Sequence, residues 1–440
     1  TELTVLNKLK NLISAAGIIF LAVIFTVWLG NTHSGTSGKL AAALSICLFA
    51  VVCLRFVPRW LDFWGDEQPQ SVSVQEGKTA ELIFALILLW DVLLIATVYL
   101  IRKTMGSDDT LLQSLSSWLY LDSHHYLDIA RDWYLSEGEW DRLVQLVFFP
   151  GYPVAVRLMH VIIPDYTLAG FAVSALCFAG SGVMLYKLAR LDCGRDTSLF
   201  AIAVFCLVPG SFFFAAPMSE SLFMLCSLSC LYLLRTKRTL AGCILGAYAA
   251  FTRSLGVLLV APVLFELIAE RRKLSEYVKM LIIPLGLAAY LLINYLVSGD
   301  ALKFMEYQSS HWGQRLGWFF NTAAYQYELM GEAYQSNDKV YLGLWLPNIL
   351  AQFLALALMV GASKKLRPSY TAHFIAYFAV AIGATWLLSA PRYLAAMTAL
   401  PIAAAVSTEG SDKMKWTALS ASLVFNLLYI FCFCNHWQVW

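Results

Sequence analysis

Apolar runs alternate with short polar breaks along almost the whole chain. They fall at 11–29, 39–56, 80–101, 166–188, 197–214, 218–234, 239–252, 255–270, 278–297, 341–361, 371–388, 392–407 and 414–434. A helix of about 20 apolar residues crosses the hydrocarbon core of a bilayer. The pattern therefore predicts an all-α polytopic membrane protein with about 13 transmembrane helices. The pair 239–252 and 255–270 is short and predicts a bent hairpin. Phe149–Pro164 is apolar as well, but it is short and carries Arg157, His160 and three prolines. It predicts a juxtamembrane or re-entrant helix. The run Leu12–Leu29 is long for a signal-peptide core, and no small-residue cleavage site follows at 31–38, so it reads as a retained span. No internal repeat or Pro/Gly-rich linker divides the chain, and residues 1–440 read as a single transmembrane unit.

Composition agrees with that reading. Hydrophobic residues make up 59% of the chain and charged residues 14%, against about 25% charged in soluble domains. A net charge of +2 gives no reason to expect nucleic acid; membrane lipids are the expected surroundings. The ten cysteines are scattered, mostly within apolar runs, and read as buried free thiols. Basic residues orient the spans. Lys8 and Lys10, Arg55 and Arg59, Lys187 to Arg195, Arg235 to Arg238, Arg271 to Lys273, Lys364 to Arg367, and Lys413 with Lys415 all fall on one side if the N-terminus is cytoplasmic. The opposite side then receives a large first outer loop, 102–165, with juxtamembrane helices. It also receives a second outer loop, 298–340, and short turns near 214–218, 252–255 and 389–392.

Those outer segments hold the candidate chemistry. Asp122 and His125 lie three apart, on one helical face. A carboxylate there can accept a proton from a hydroxyl nucleophile, or Asp122 or Ser123 can cap the helix that follows. His124 and His125 point about 100° apart on a helix, so no shared metal is expected. Pro217 suits a first helical turn that contains Glu220. That carboxylate either answers the helix dipole or has a functional role at the membrane edge. Arg253 and Arg392, beside Thr252 and Tyr393, stand near opening helix N-termini. Two arginines so placed suit an anion such as phosphate; snorkelling to lipid headgroups is the alternative. The 298–340 segment carries Phe304, Tyr307, Trp312, Trp318, Phe319, Phe320, Tyr325 and Tyr327. They read as an interfacial belt, or as a surface for sugar rings or a lipid tail. Asp91 lies mid-span and reads as a structural polar contact, while Glu266 lies nearer the inner end of its run.

Several of these stretches together carry a family resemblance. Asp122-Ser123-His124-His125-Tyr126-Leu127-Asp128-Ile129-Ala130 matches D-x-x-H-F/Y-L-x-I-A, and Phe148-Phe149-Pro150-Gly151-Tyr152-Pro153 matches F-F-P-G-F/Y-P. Pro217-Met218-Ser219-Glu220-Ser221-Leu222-Phe223 matches P-Y-S-E-S-L-F with Met for Tyr. Leu240-Ala241-Gly242 through Thr252-Arg253-Ser254 matches an L-A-G to T-R-S stretch, and Pro391-Arg392-Tyr393 a late P-R-Y. In order and spacing over roughly residues 115–270, with the echo near 390, the sequence resembles the GT-C glycosyltransferases. It is most like the GPI mannosyltransferase II (PIG-V) family and its prokaryotic relatives. One departure is Leu121, where that family usually has Trp.

The resemblance implies a GT-C fold and inverting transfer, most naturally of mannose. The donor it implies is a polyprenyl-phosphate-linked sugar, the acceptor a lipid or envelope glycan, and no cofactor is expected. Under it, Asp122 is the general base, and Arg253 and Arg392 stabilise the departing lipid phosphate. His125 orients Asp122 or meets the donor phosphate, Glu220 binds sugar hydroxyls or positions the acceptor, and His124 and Tyr393 complete the substrate-binding set. The membrane is a bacterial inner or plasma membrane, or the endoplasmic reticulum, with the site facing the periplasm, the outside or the lumen. Transfer of another sugar, or a lipid-linked sugar flippase or transporter, are the alternatives.

Overall fold

In the computed structural model, which describes residues 2–65, 77–135, 142–314, 317, 319–382 and 389–439, no strand occurs among the described residues. Helices α1 (Glu2–Asn31), α2 (Thr36–Gly65) and α3 (Gly77–Thr104) come first. The short α4 (Leu111–Ser114), α5 (Ser123–Asp132) and α6 (Gly151–His160) follow, then α7 (Tyr166–Ala189) and α8 (Arg195–Leu207). Next come α9 (Glu220–Arg235), α10 (Thr239–Thr252), α11 (Val260–Ala269), α12 (Leu274–Met280) and α13 (Ile283–Ser298). The chain continues through α14 (Lys303–Trp312), α15 (Phe319–Gln335), α16 (Leu346–Ala362) and α17 (Pro368–Ala381). It ends with α18 (Ala390–Ala395), α19 (Ala399–Ser407) and α20 (Asp412–Cys434).

Among the described residues, seven helical stretches are long and apolar enough to cross a membrane: Lys10–Asn31, Thr36–Phe63, Lys78–Thr104, Tyr166–Ala189, Leu274–Ser298, Tyr341–Ala362 and Asp412–Cys434. They coincide with seven of the predicted runs, and the chain is an integral, all-α polytopic membrane protein. The other six runs are shorter or broken, so a count of about 13 unbroken spans does not follow. The run 197–214 stops as α8 at Leu207, before Pro209 and the left-handed Gly210. The run 255–270 is a 3₁₀ turn, Ser254–Leu259, leading into α11, and it folds back on α10 as the predicted bent hairpin. The run 392–407 divides into α18 and α19. Of the run 371–388, residues 383–388 lie outside the described residues. Helix α6 forms where a juxtamembrane helix was predicted; at 10 residues it reaches only about 15 Å.

Broken helices expose backbone polar groups, which lipid cannot satisfy. Such backbone is tolerated at membrane depth only inside protein or beside a cavity. The break after α8 obeys this rule, since Phe212, Phe213, Phe214, Ala215, Ala216 and Met218 are all buried. The unbroken helices face outward instead: Ile19, Phe20 and Val23 of α1 and Leu86, Leu89 and Val92 of α3 are exposed apolar side chains.

Helix α9 is the centre, packed between α7 and α10. On the far side of α10, Gly286 lets α13 approach closely; a Cβ there would collide with the Ala247 carbonyl. At 16 residues α9 is roughly 24 Å long, and each of its ends carries a buried charge cluster. At the C-terminal end, Arg235 donates to both oxygens of Asp192 at 2.8 and 2.9 Å, and Tyr370 Oη donates to Asp192 at 3.0 Å. Arg367 Nε donates to the two oxygens of Glu266 at 2.9 and 3.0 Å, and Arg235 Nε lies 3.4 Å from Glu266. Arg59 donates to the Leu366 carbonyl at 3.4 Å. Four of the basic breaks, near residues 55–59, 187–195, 235–238 and 364–367, thus meet at this end, as charge patterning predicts. Glu266 sits there too. Asp91 is buried in α3, and its Oδ1 has no partner among the described residues.

The C-terminal cluster makes a stability prediction. Arg367→Ala leaves the 2%-exposed Glu266 without its two-pronged partner. Breaking a buried pair in this way costs about 3–5 kcal/mol, read as a large drop in the unfolding midpoint in detergent. Lys415→Ala, which removes the partner of the exposed Asp412, shifts the midpoint far less. Equal shifts contradict this account of the cluster.

Candidate active site

The other end of α9 begins with Glu220. Its carboxylate is 1% exposed, a costly place for a charge without partners. Two guanidinium groups supply them: Arg253 Nη1 and Arg392 Nε both donate to Glu220 Oε1. Glu220 Oε2 is buried and has no partner among the described residues. Arg392 reaches a second carboxylate as well, with Nη2 2.6 Å from Asp122 Oδ2. Arg253 Nη1 donates at 3.1 Å to Ser219 Oγ, which lies 2.9 Å from the Tyr126 hydroxyl. Arg253 also lies over the Tyr393 ring at 5.0 Å, and Arg392 over the Phe213 ring at 5.6 Å. Two positive and two negative groups from four separate segments therefore formally cancel within one cluster.

Each segment is aimed by a local device. Leu121, immediately before Asp122, has φ of 60°, a conformation that costs a non-glycine residue about 1–2 kcal/mol. This turn delivers Asp122 to the start of α5. The Asp122 side chain makes no capping hydrogen bond there, so the capping role gives way to the contact with Arg392. Helix α10 ends at Thr252, and Arg253 leaves it in an extended conformation. Gly151 lets α6 press against that end, because a Cβ would collide with the Thr252 side chain. Tyr248 Oη also donates to the Gly151 carbonyl at 2.9 Å. The start of α18 is held by Asn348 Oδ1, which accepts from Ala390 N at 2.9 Å, and by Tyr377 Oη, which donates to the Tyr393 carbonyl at 2.8 Å.

A cavity of about 120 Å³ opens beside this cluster. Asp122, Tyr126, Arg253, Arg392 and Tyr393 line it. Phe148, Phe149, Gln308, Trp312 and Gln314 line it as well. Glu220, His124 and His125 do not line it. Glu220 instead lies behind both guanidinium groups, as their shared counter-charge. His124 is exposed. His125 stacks on Phe148, with ring centroids 4.5 Å apart. Burial, and secondarily the neighbouring His124, push the His125 imidazole down to about 4. It is therefore neutral near pH 7 and offers no cation to a phosphate. No group of three metal-binding side chains occurs among the described residues.

Sequence reasoning missed several supporting residues. Tyr126 and Ser219 lay inside the quoted motifs without a role. Asn348, a buried amide in an apolar run, carried the only available signal for its position. The aromatic residues of 298–340 do not form a simple belt. Tyr307 and Phe320 are buried, Phe304 packs on Tyr290 at 5.3 Å, and Trp312 lines the cavity. Trp318 lies outside the described residues.

Residues 88–366 match the model of a family described as mannosyltransferase (PIG-V). Asp122, Glu220 and Arg253 fall within the match, while Arg392 and Tyr393 lie beyond it. The GPI mannosyltransferase 2 of Drosophila pseudoobscura pseudoobscura is 35% identical over 133 residues, 28% of each chain. The GPI alpha-1,6-mannosyltransferase 2 of Homo sapiens is 32% identical over 162 residues, 34% of this chain and 31% of that one. The corresponding protein of Mus musculus is 33% identical over 168 residues, 34% and 32% of the two chains. These alignments span about a third or less of the relatives' length. The family match, by contrast, covers well over half of the chain, which therefore belongs to the mannosyltransferase (PIG-V) family.

Proposed function

We propose that this protein is an inverting glycosyltransferase that moves a sugar, mannose on the family evidence, from a polyprenyl-phosphate carrier to a hydroxyl of a lipid or envelope glycan acceptor. One observation carries the reading. A carboxylate, Asp122, and two guanidinium groups, Arg253 and Arg392, line one cavity at the end of the bundle opposite the clustered basic breaks. That placement supports an extracytoplasmic site, because basic breaks favour the cytoplasmic side. The membrane is then a bacterial inner or plasma membrane, or the endoplasmic reticulum. Segments 102–165 and 298–340 serve as the outer loops, the first bearing the base.

The chemistry needs one displacement. Asp122 takes the proton from the acceptor hydroxyl as that oxygen attacks the anomeric carbon. The bond from the anomeric carbon to the phosphate oxygen breaks, and the electron pair leaves with the lipid phosphate. Configuration inverts, and no covalent intermediate forms. A phosphate is a weak base, so the departing group needs positive charge rather than a proton. Arg253 and Arg392 supply it from fixed positions. Glu220 holds both guanidinium groups in place, and the Tyr126–Ser219 pair supports Arg253 from the side. Glu220 is thus a positioning residue. The contact with Arg392 orients Asp122.

Three outcomes test this reading. Asp122→Asn lowers turnover by about 10²–10⁴, measured as radiolabelled sugar transfer in detergent with the fold checked by unfolding; near-normal turnover contradicts the assignment. Glu220→Gln removes the shared counter-charge and lowers turnover by about tenfold or more, although Glu220 does not line the cavity. A fully active Glu220→Gln variant refutes the positioning role. Because arginines supply the positive charge, transfer persists in excess chelator, and abolished transfer contradicts that. Any transfer at all separates this reading from a flippase, which shows none.

A further inference from the structure

The proposed chemistry uses only the ionic residues that line the cavity and leaves Phe148, Gln308 and Trp312 without a role. These come from two distant segments. Phe148 follows the 3₁₀ turn Arg142–Val147, against which α14 packs. Helix α14 ends at Trp312, and Gly313 turns the chain with φ of 60°. The backbone N–H of Gln314 then donates to the Gln308 carbonyl at 3.0 Å, which brings the two glutamines alongside each other. The aromatic floor is fixed from behind. His125 stacks on Phe148, and Tyr290 stacks on Phe149 with centroids 3.8 Å apart while its hydroxyl donates to the Leu146 carbonyl. Trp312 meets Phe148 edge-on, with centroids 6.2 Å apart and an interplanar angle of 84°.

Gln308 and Trp312 both line the cavity beside Phe148. Both side chains are half-buried at the cavity. We propose that Trp312, Gln308 and Phe148 form a hexose-binding subsite that holds the transferred sugar of the donor and decides which sugar is accepted. A hexose has an apolar C–H face and a rim of hydroxyls. An indole packs on the first, and an amide, with two donors and an acceptor, reads the second. A polyprenyl tail fits this wall poorly, because it would cover the Gln308 amide without bonding to it. The arginines line the same cavity, so the phosphate of the same donor molecule can meet them there.

This inference rests on the proposed transferase reading, and its test separates the two. Purified full-length protein in detergent is assayed with polyprenyl-phosphate mannose and polyprenyl-phosphate glucose. Trp312→Ala raises the donor KM by about tenfold while kcat changes little, the pattern of lost uniform binding; Trp312→Phe restores most of it. Gln308→Ala, on the same helix, lowers discrimination between the two donors by about tenfold. It serves as the deciding variant if Trp312→Ala does not fold. Unchanged donor KM and unchanged discrimination overturn the subsite while leaving the transferase reading intact. If the wild type transfers neither sugar, the transferase reading fails. Saturation-transfer NMR with methyl α-mannoside then decides the subsite alone. Signal from the wild type that is lost in Gln308→Ala or Trp312→Ala supports it, and no wild-type signal, or a signal undiminished in both variants, overturns it.

Discussion

A carboxylate with 1% exposure at a membrane protein's edge needs opposite charge within reach, and that requirement organises this molecule. Glu220 opens α9, and the two guanidinium groups that answer it come from the end of α10 and the start of α18. Neither arginine arrives on an unbroken transmembrane helix. Helix α10 must stop at Thr252, and the chain must restart at Ala390, for Arg253 and Arg392 to reach the same oxygen. Once Arg392 is fixed, it also holds Asp122 at 2.6 Å. The proposed base is thus placed through a counter-charge that does not line the cavity.

This arrangement explains a division of labour among the helices. The long apolar stretches, such as those in α1, α2 and α3, meet lipid and form scaffold. The shorter and interrupted ones carry the site. Interrupted backbone is costly in lipid, so it is enclosed by the phenylalanines after α8 and by α7, α9 and α10. The opposite end of α9 uses the same physics for a different purpose. Asp192, Arg235, Glu266 and Arg367 pair there, and Tyr370 joins them. That cluster ties helix ends together, while the one at Glu220 borders a cavity.

Sequence patterning made a good part of this legible. Hydropathy placed the seven long stretches, and the sorting of basic breaks put Asp122, Glu220, Arg253 and Arg392 on one face. Their meeting follows, since residues far apart in sequence share that face only through the fold. What each one touches was not legible. Spacing rules govern residues three or four apart, whereas Glu220 and Arg392 are 172 apart. Glu220 was therefore read as a substrate ligand or a partner of the helix dipole, and both arginines as phosphate-binding or snorkelling cations, without their shared carboxylate. The burial of His125 against Phe148 likewise comes from tertiary packing that a motif cannot show. A hydropathy run records composition rather than continuity, so Pro209-Gly210 and the division of α18 from α19 were absorbed into apparent spans. The aromatics of 298–340 looked like a belt because sequence cannot tell a ring at the interface from one turned into a cavity.

The central claim is that the cavity beside Glu220 carries out one in-line displacement at an anomeric carbon, with Asp122 as base and the arginines receiving a lipid phosphate. The most direct measurement is the anomeric configuration of the product formed from a polyprenyl-phosphate sugar of defined configuration, read by NMR. The account predicts a configuration opposite to that of the donor. A product with the donor's configuration contradicts it, because retention requires a second displacement and a nucleophile that this account does not provide.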